Sequence, residues 1–345
     1  MLPNTEQLRE QLLQAEKIPA EILQLIHREK WLQIWVSEKF GGIDKIFHEG
    51  LELLFELAKT DGSLGWFVTL CSGANYFSKN LKPEIAREIF SGENVCFGGS
   101  GMIGGTAEII NKNEFCINGK WRYATGSPYL SHFTLNAKIT ANNKILLDEN
   151  GNEKFLSFVL PKEKVDVFAD WNAMGMRATN TFSFAVNDIV VSKDYGFEYD
   201  KFFTQDNSSN IPFRVFADLT LLVNYIGMAR HFAEEVEKIA PQINASTSSA
   251  TNEELKNYSK NVLKKAFFYA SEMEALIANK DAITEVFSDE IHLFGEETVA
   301  DLSTLIISTY IQVGIKASSS NSAINQVFRD FFTATQHANF RKKNN

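Results

Sequence analysis

Apolar residues recur three and four apart in TEQLREQLLQAEK (5–17) and HEGLELLFELAKT (48–60), the spacing of one buried helix face. GSLGWFVTLCSGANYF (62–77) is apolar almost all round, which predicts a helix buried on every side. Pro83, followed by EIAREIF, marks another helix start. From about residue 93 the period changes. EFCING (114–119), HFTLNAKI (132–139), KILLD (144–148), KFLSFVLP (154–161), KVDVF (164–168) and TFSFAVNDIVV (181–191) are short, often alternating, and rich in β-branched or aromatic residues. NKNE (111–114) and DENGNEK (148–154) are turn material between them. Strands of this length and spacing predict a barrel or sandwich.

After the polar linker YDKFFTQDNSSNIP (199–212) the helical period returns. RVFADLTLLVNYIGMARHFAEEVEKIA (214–240) is long and amphipathic. INASTSSATNEE (243–254) is a loop, with Thr251 and Glu254 as a capping box. Three more helical runs, 254–280, 296–319 and 322–342, complete a set of four. Long helices with short joints predict an up-and-down bundle. The whole reads as α+β, mainly α: a helical domain at 1–92, a β-barrel domain at 93–200 and a four-helix bundle at 201–345.

Laid on a helix, the tail VFRDFFTATQHANFRKKNN puts Arg329, Thr333, Gln336, His337 and Phe340 on one face. Phe328, Phe331, Phe332 and Thr335 cover the other. An ordered polar stripe against so much phenylalanine suggests a site, although a half-exposed histidine at a helix end would look the same. Three further stretches can carry chemistry. CFGGSGMIGGTAE (96–108) holds Phe97, Ser100 and Thr106 among glycines, which let a backbone approach a ligand; a plain turn with a bulge reads the same way. It is not the dinucleotide fingerprint, since no G-x-G-x-x-G leads from a strand into a helix. In WRYATGS (121–127), Trp121 and Tyr123 offer a flat apolar wall, and Thr125 beside Gly126 can hydrogen-bond a heterocycle. Arg177 lies in MGMRATNT (174–181), where a surface arginine is the ordinary expectation.

Composition narrows the classes. The 345 residues carry a net charge of -9, which argues against nucleic acid as a partner. The basic tail Arg341, Lys342, Lys343 reads as a solvated helix end. Cys71, Cys96 and Cys116 have neither disulfide nor zinc spacing and read as buried small hydrophobes; no metal site is expected. The N-terminal stretch lacks the apolar core of a secretory signal, and no apolar run is long enough to span a membrane. A cytoplasmic protein is expected.

Taken in order, KFGGID (39–44), AKTDGSLGWFV (58–68), FGGSGMIGGTA (97–107), WRYATGS, MGMRATNT with NDIVV (187–191), and FRD (328–330) resemble the acyl-CoA dehydrogenase superfamily over nearly the whole chain. The resemblance implies an N-terminal helical domain, a middle barrel and a C-terminal bundle, with Thr125 reaching the flavin N5. It also implies a tetrameric homo-oligomer. The dehydrogenases' catalytic glutamate is absent: its places fall near Ala338 and Ala217, and Asp218 is turned about 100° round its helix from the latter. RDFFTATQH is similar instead to the two-component flavin-dependent monooxygenases. That branch implies reduced FMN or FAD delivered by a flavin reductase, oxygen as co-substrate, and a small apolar or aromatic substrate. His337 would then be the catalytic acid or base, since its ordinary pKa lies near working pH. Phe97, Ser100, Thr106, Tyr123, Thr125, Gly126 and Arg177 would hold the cofactor, and Gln336 and Thr333 would line the substrate pocket. The competing readings are an acyl-CoA dehydrogenase with an unrecognised base, and a non-catalytic relative that binds a ligand.

Overall fold

The computed structural model describes residues 4–242 and 246–341; Lys342, Lys343 and residues 243–245 of the expected loop lie outside that range. It is 55% helical and 19% strand. Five helices come first: α1 (Thr5–Leu12), α2 (Ala20–Arg28), α3 (Phe47–Thr60), α4 (Gly62–Asn75) and α5 (Pro83–Phe90). α4 is buried along nearly its whole length, as its uniform apolarity predicts. Asp61 caps it by accepting the Leu64 N–H at 2.9 Å, an interaction worth ~1 kcal/mol.

Eight strands follow: β1 (Phe97–Asn111), β2 (Glu114–Ala124), β3 (His132–Ala141), β4 (Lys144–Ile145), β5 (Phe155–Pro161), β6 (Asp166–Phe168), β7 (Phe182–Ser192) and β8 (Gly196–Phe197). They form one sheet in the order β6-β7-β2-β1-β3-β5-β8, with β4 beside β3. The path is open: its ends, β6 and β8, do not pair with each other, so the closed barrel expected from strand count is not what the pairings give. Both end strands are only two or three residues long.

The glycine-rich stretch 97–107, expected as a loop, lies inside β1. It pairs in parallel with β3, with register shifts between Ser100 and Ile103 and between Ile103 and Gly105. Its glycines serve close packing. A Cβ on Gly99 would overlap the Thr134 carbonyl, and one on Gly104 or Gly105 would enter the Trp121 ring. Trp121 is therefore not a wall for a ligand. It is buried in the sheet core, stacked on Phe184 (5.4 Å, 14°), and its Nε1 donates to Asn136 O at 2.9 Å.

Four helices end the described chain: α6 (Phe213–Ile239), α7 (Ser246–Asn279), α8 (Glu285–Val313) and α9 (Ala323–Ala334). α6 is buried on most sides rather than amphipathic, because α3, α4, α7, α8 and α9 all pack on it. α7 begins before Thr251, so the expected capping box lies inside the helix. α9 ends at Ala334, about two turns earlier than the tail pattern predicts, and 335–340 form turns. Its second half is tied to the sheet side: Arg329 donates to Met174 O at 2.6 Å, Asp330 accepts the Met176 N–H at 2.6 Å, and Gly175 presses on the Arg329 carbonyl. A second tie is the buried ion pair of Lys79 and Asp206 at 2.7 Å, which anchors the 199–212 linker behind α4. The three cysteines are free, Cys71 and Cys96 buried and Cys116 partly so. Among the described residues no helix is long and apolar enough to cross a membrane, and no His, Cys, Asp and Glu group could hold a metal ion.

Candidate active site

A cavity of about 290 Å³ lies where the sheet, α4, α6 and the C-terminal turn meet. β1 lends Gly98 to Gly101, and β3 lends Thr134 to Asn136. α4 lends Thr69, Leu70, Gly73 and Ala74, and α6 lends Phe213, Phe216, Ala217, Thr220 and Leu221. Thr125 closes the sheet side, while His337 and Asn339 close the C-terminal side. Phe77, Phe197, Tyr199 and Phe213 form an aromatic end, with ring centres 4.7–5.0 Å apart in four pairings. None of the described lining residues is Asp, Glu, Lys or Arg.

Of the ten residues the sequence nominates, the cavity gathers three: Ser100, Thr125 and His337. The others lie elsewhere. Phe97 is buried, with its N–H donating to Asn75 Oδ1 at 2.8 Å. Thr106 is exposed on β1 opposite Asn118. Tyr123 is 59% exposed, and its φ of 68° swings it out of the strand's alternation. Gly126 sits at φ 76° behind Thr125, against Phe67 and Cys71. Arg177 is half-exposed and pairs with Glu16 across the surface. Gln336 is exposed, because the chain has left the helix before reaching it. The Thr333 hydroxyl is buried with no hydrogen-bond partner and does not line the cavity. The sequence missed Thr69, Asn136, Tyr199, Phe213 and Asn339. The only signal for any of them is Asn339's place two residues after His337.

His337 reaches the cavity through the turn that ends α9. Its N–H donates to Ala334 O at 2.9 Å, and its ring meets Trp66 edge-on at 5.6 Å. The Asn339 N–H donates to His337 Nδ1 at 3.3 Å, which leaves the ring proton on Nε2. The ring keeps accessible surface because it borders a hollow. The protein crowded round it still lowers its pKa by desolvation, so it is neutral near pH 7.

Thr125 ends a file of buried hydroxyls. Thr179 Oγ1 donates to Met176 O at 2.8 Å. Thr181 Oγ1 lies 2.7 Å from Thr179 and 3.2 Å from Thr125. Oxygens this close need a hydrogen between them. Thr179 has given its hydrogen to a carbonyl, so Thr181 donates to Thr179 and Thr125 donates to Thr181. Thr125 then meets the cavity as an acceptor.

No family model matches the chain. By sequence it is 24% identical over 320 residues to an indole-3-acetate monooxygenase of Acinetobacter baumannii, covering 88% of this chain and 79% of that one. It is 18% identical over 195 residues to the HsaA oxygenase subunit of a flavin-dependent monooxygenase from Rhodococcus jostii, covering 55% of this chain and about half (48%) of the relative. By structure it matches the 3-HSA hydroxylase of Rhodococcus sp. RHA1 with a TM-score of 0.89 at 16% identity, over 97% of this chain and 90% of that one. The chain is a relative of the flavin-dependent monooxygenases and has their acyl-CoA dehydrogenase-like fold. Two further structures of similar fold hold flavin. XiaF from Streptomyces, in complex with FADH2 and glycerol, has a TM-score of 0.84 at 16% identity, over 97% and 89% of the two chains. TdsC from Paenibacillus sp. A11-2, with FMN and indole, has a TM-score of 0.78 at 18% identity, over 96% and 91%.

A flavin ring system needs a flat apolar slot with a few hydrogen-bonding groups, and the cavity has that make-up. A Cβ at Gly101 would meet nothing within 4 Å, and one at Gly73 would meet only Phe216 Cε1 at 3.6 Å. Glycine at these two wall positions leaves room that packing does not claim. Thr125, Ser100 and the neutral His337 supply the polar groups.

Proposed function

We propose that the chain is the oxygenase component of a two-component flavin-dependent monooxygenase. It would receive reduced FMN or FAD from a separate flavin reductase and act on a small, uncharged, apolar or aromatic substrate. The observation that carries this reading is one cavity, free of charged side chains, that brings Thr125 and His337 together on a fold shared with such monooxygenases. When bound, the reduced flavin would supply the electrons that activate oxygen. Thr125 and Ser100 would orient its ring edge, and the aromatic end formed by Phe77, Phe197, Tyr199 and Phe213 would stack a flat substrate. The apolar walls would exclude water, and His337 Nε2 would hold or pass a proton at the ring's edge.

The dehydrogenase alternative lacks support at its key position. Ala217 lines the cavity at one of the places that the resemblance to the dehydrogenases implies for a base, and Asp218 faces His292 and Asn339 instead. Phe97, Thr106, Tyr123, Gly126, Arg177, Gln336 and Thr333 are not part of the proposed site. The same reading divides the chain at 1–92, 93–200 and 201–345, and takes it to be a cytoplasmic homotetramer. Element order supports the division, and apolar side chains exposed on α8 (Leu293, Ile307, Ile311) favour assembly.

The test mixes the protein with a flavin reductase, NAD(P)H and indole-like compounds, and measures oxygenated product against hydrogen peroxide. Product is expected, and His337→Ala should raise peroxide per product by roughly tenfold or more, the usual contribution of a positioned acid or base. Bleaching of bound flavin by a saturated acyl-CoA thioester, with no oxygenated product, would overturn the reading.

A further inference from the structure

Asp218 sits on α6 one position beyond the cavity-lining Ala217, buried and outside the cavity wall. Its carboxylate has partners on two other elements. His292 on α8 places Nδ1 3.1 Å from both oxygens, and Asn339 on the C-terminal turn donates from Nδ2 to Oδ1 at 2.7 Å. The backbone N–H of that same Asn339 donates to His337 Nδ1. A buried carboxylate thus grips the side chain of the residue whose main chain orients the site histidine.

The turn 335–340 has left the helix and depends on such anchors. Its own main-chain bonds run from Gln336 and His337 back to Thr333 and Ala334. Beyond them, Phe340 packs against Tyr225 at 6.0 Å and His292 at 5.8 Å. Asn339 is the polar link between these contacts and His337. The titratable and charged groups round Asp218 are His292, with Glu296 3.7 Å from its Nε2, and Arg214, which is itself paired with Asp289.

We propose that Asp218 is a positioning residue: through Asn339 it fixes the rotation and tautomer of His337, keeping the ring proton on Nε2. Its consequence for turnover rests on the reading of His337 as the proton-handling group. Its geometry can be tested without turnover.

Diethyl pyrocarbonate attacks a ring nitrogen with a free lone pair. In the native chain the Nδ1 lone pair is engaged and Nε2 carries the proton, so His337 should react slowly. Site-resolved mass spectrometry of the full chain reads this, with the half-exposed His48 as internal reference. Asp218→Ala should speed His337 modification about fivefold, as for loss of one hydrogen bond. Asp218→Asn keeps an oxygen for Asn339 and should stay within about twofold of the native rate. Asn339→Ala removes only the side-chain link and should match Asp218→Ala, which covers the case that Asp218→Ala folds poorly. Equal His337 rates in the native chain, Asp218→Ala and Asn339→Ala would overturn the proposal. A native chain that neither binds nor uses reduced flavin would remove the catalytic reading alone, and the modification rates would still decide whether Asp218 holds His337.

Discussion

Asp330→Asn should flatten the pH dependence of stability. Asp330 and Asp61 are both buried where α9, α4 and the 174–176 segment meet, and neither forms a salt bridge with an Arg or Lys among the described residues. Burial, reinforced by the nearby Asp61, pushes the Asp330 carboxyl up to about 8 from its ordinary 3.8; Asp61 is raised by burial too. A carboxyl whose pKa is higher folded than unfolded contributes stability that is fully present below about 3.8 and is lost as pH rises through about 8. Between those values the folded chain holds one proton more than the unfolded chain. Each pH unit in that window therefore costs about 1.4 kcal/mol. Raising the pH from about 5.5 to about 7.5 should remove ~2.7 kcal/mol through this group alone. An asparagine there keeps an oxygen for the Met176 N–H and has no proton to lose. Urea unfolding followed by tryptophan fluorescence, at half-unit steps across that range, compares the two chains. The difference in unfolding free energy should grow in the variant's favour as pH rises. Parallel curves for variant and native chain would refute the reasoning, since they would mean that Asp330 is ionised in the folded chain throughout.

Thr181→Val should release the Thr125 proton from the hydroxyl file. Reduced flavin carries a hydrogen on N5 and oxidised flavin does not, so calorimetry should show the reduced-over-oxidised preference falling by about fivefold. An unchanged ratio would show that Thr125's proton direction is not set by Thr181. Thr125→Val should weaken binding of reduced flavin by about 1–3 kcal/mol, read in the same titration. Lys79→Ala strands Asp206 in a site with no exposure and should cost about 3–5 kcal/mol in urea unfolding; a loss below about 1 kcal/mol would mean that Asp206 finds water.

The element types were legible because burial imposes a period. α4 is uniformly apolar and buried, and the 132–139 and 154–161 alternations became β3 and β5. β1 escaped because glycine is a poor strand former; its glycines answer to the approach of Thr134 and Trp121, partners that local sequence does not contain. The tail was misread for a related reason. A helical period can continue on paper past the residue where the chain turns away, and what ends α9 is tertiary: the docking of Phe340 beside Gly295 and of Asn339 on Asp218. At the site, Thr125 and His337 were found through motif resemblance. Arg177 and Tyr123 were nominated the same way, yet an ion pair and a positive φ turn them outward. Asn339 is marked only by its place two residues after His337, because its role joins a main-chain N–H to a side-chain amide, which residue type does not signal.

The glycines of the cavity region fall into two kinds, and the difference decides where this scaffold can be evolved. At Gly99 an added methyl would strike backbone, so a randomised library spends that codon on chains that do not fold. At Gly101 and Gly73 the same methyl enters open space or an ordinary contact. A library confined to these two codons would reshape the hollow from the β1 wall and the α4 wall independently. Variants there should diverge in which ring systems they accept while the surrounding framework stays the same.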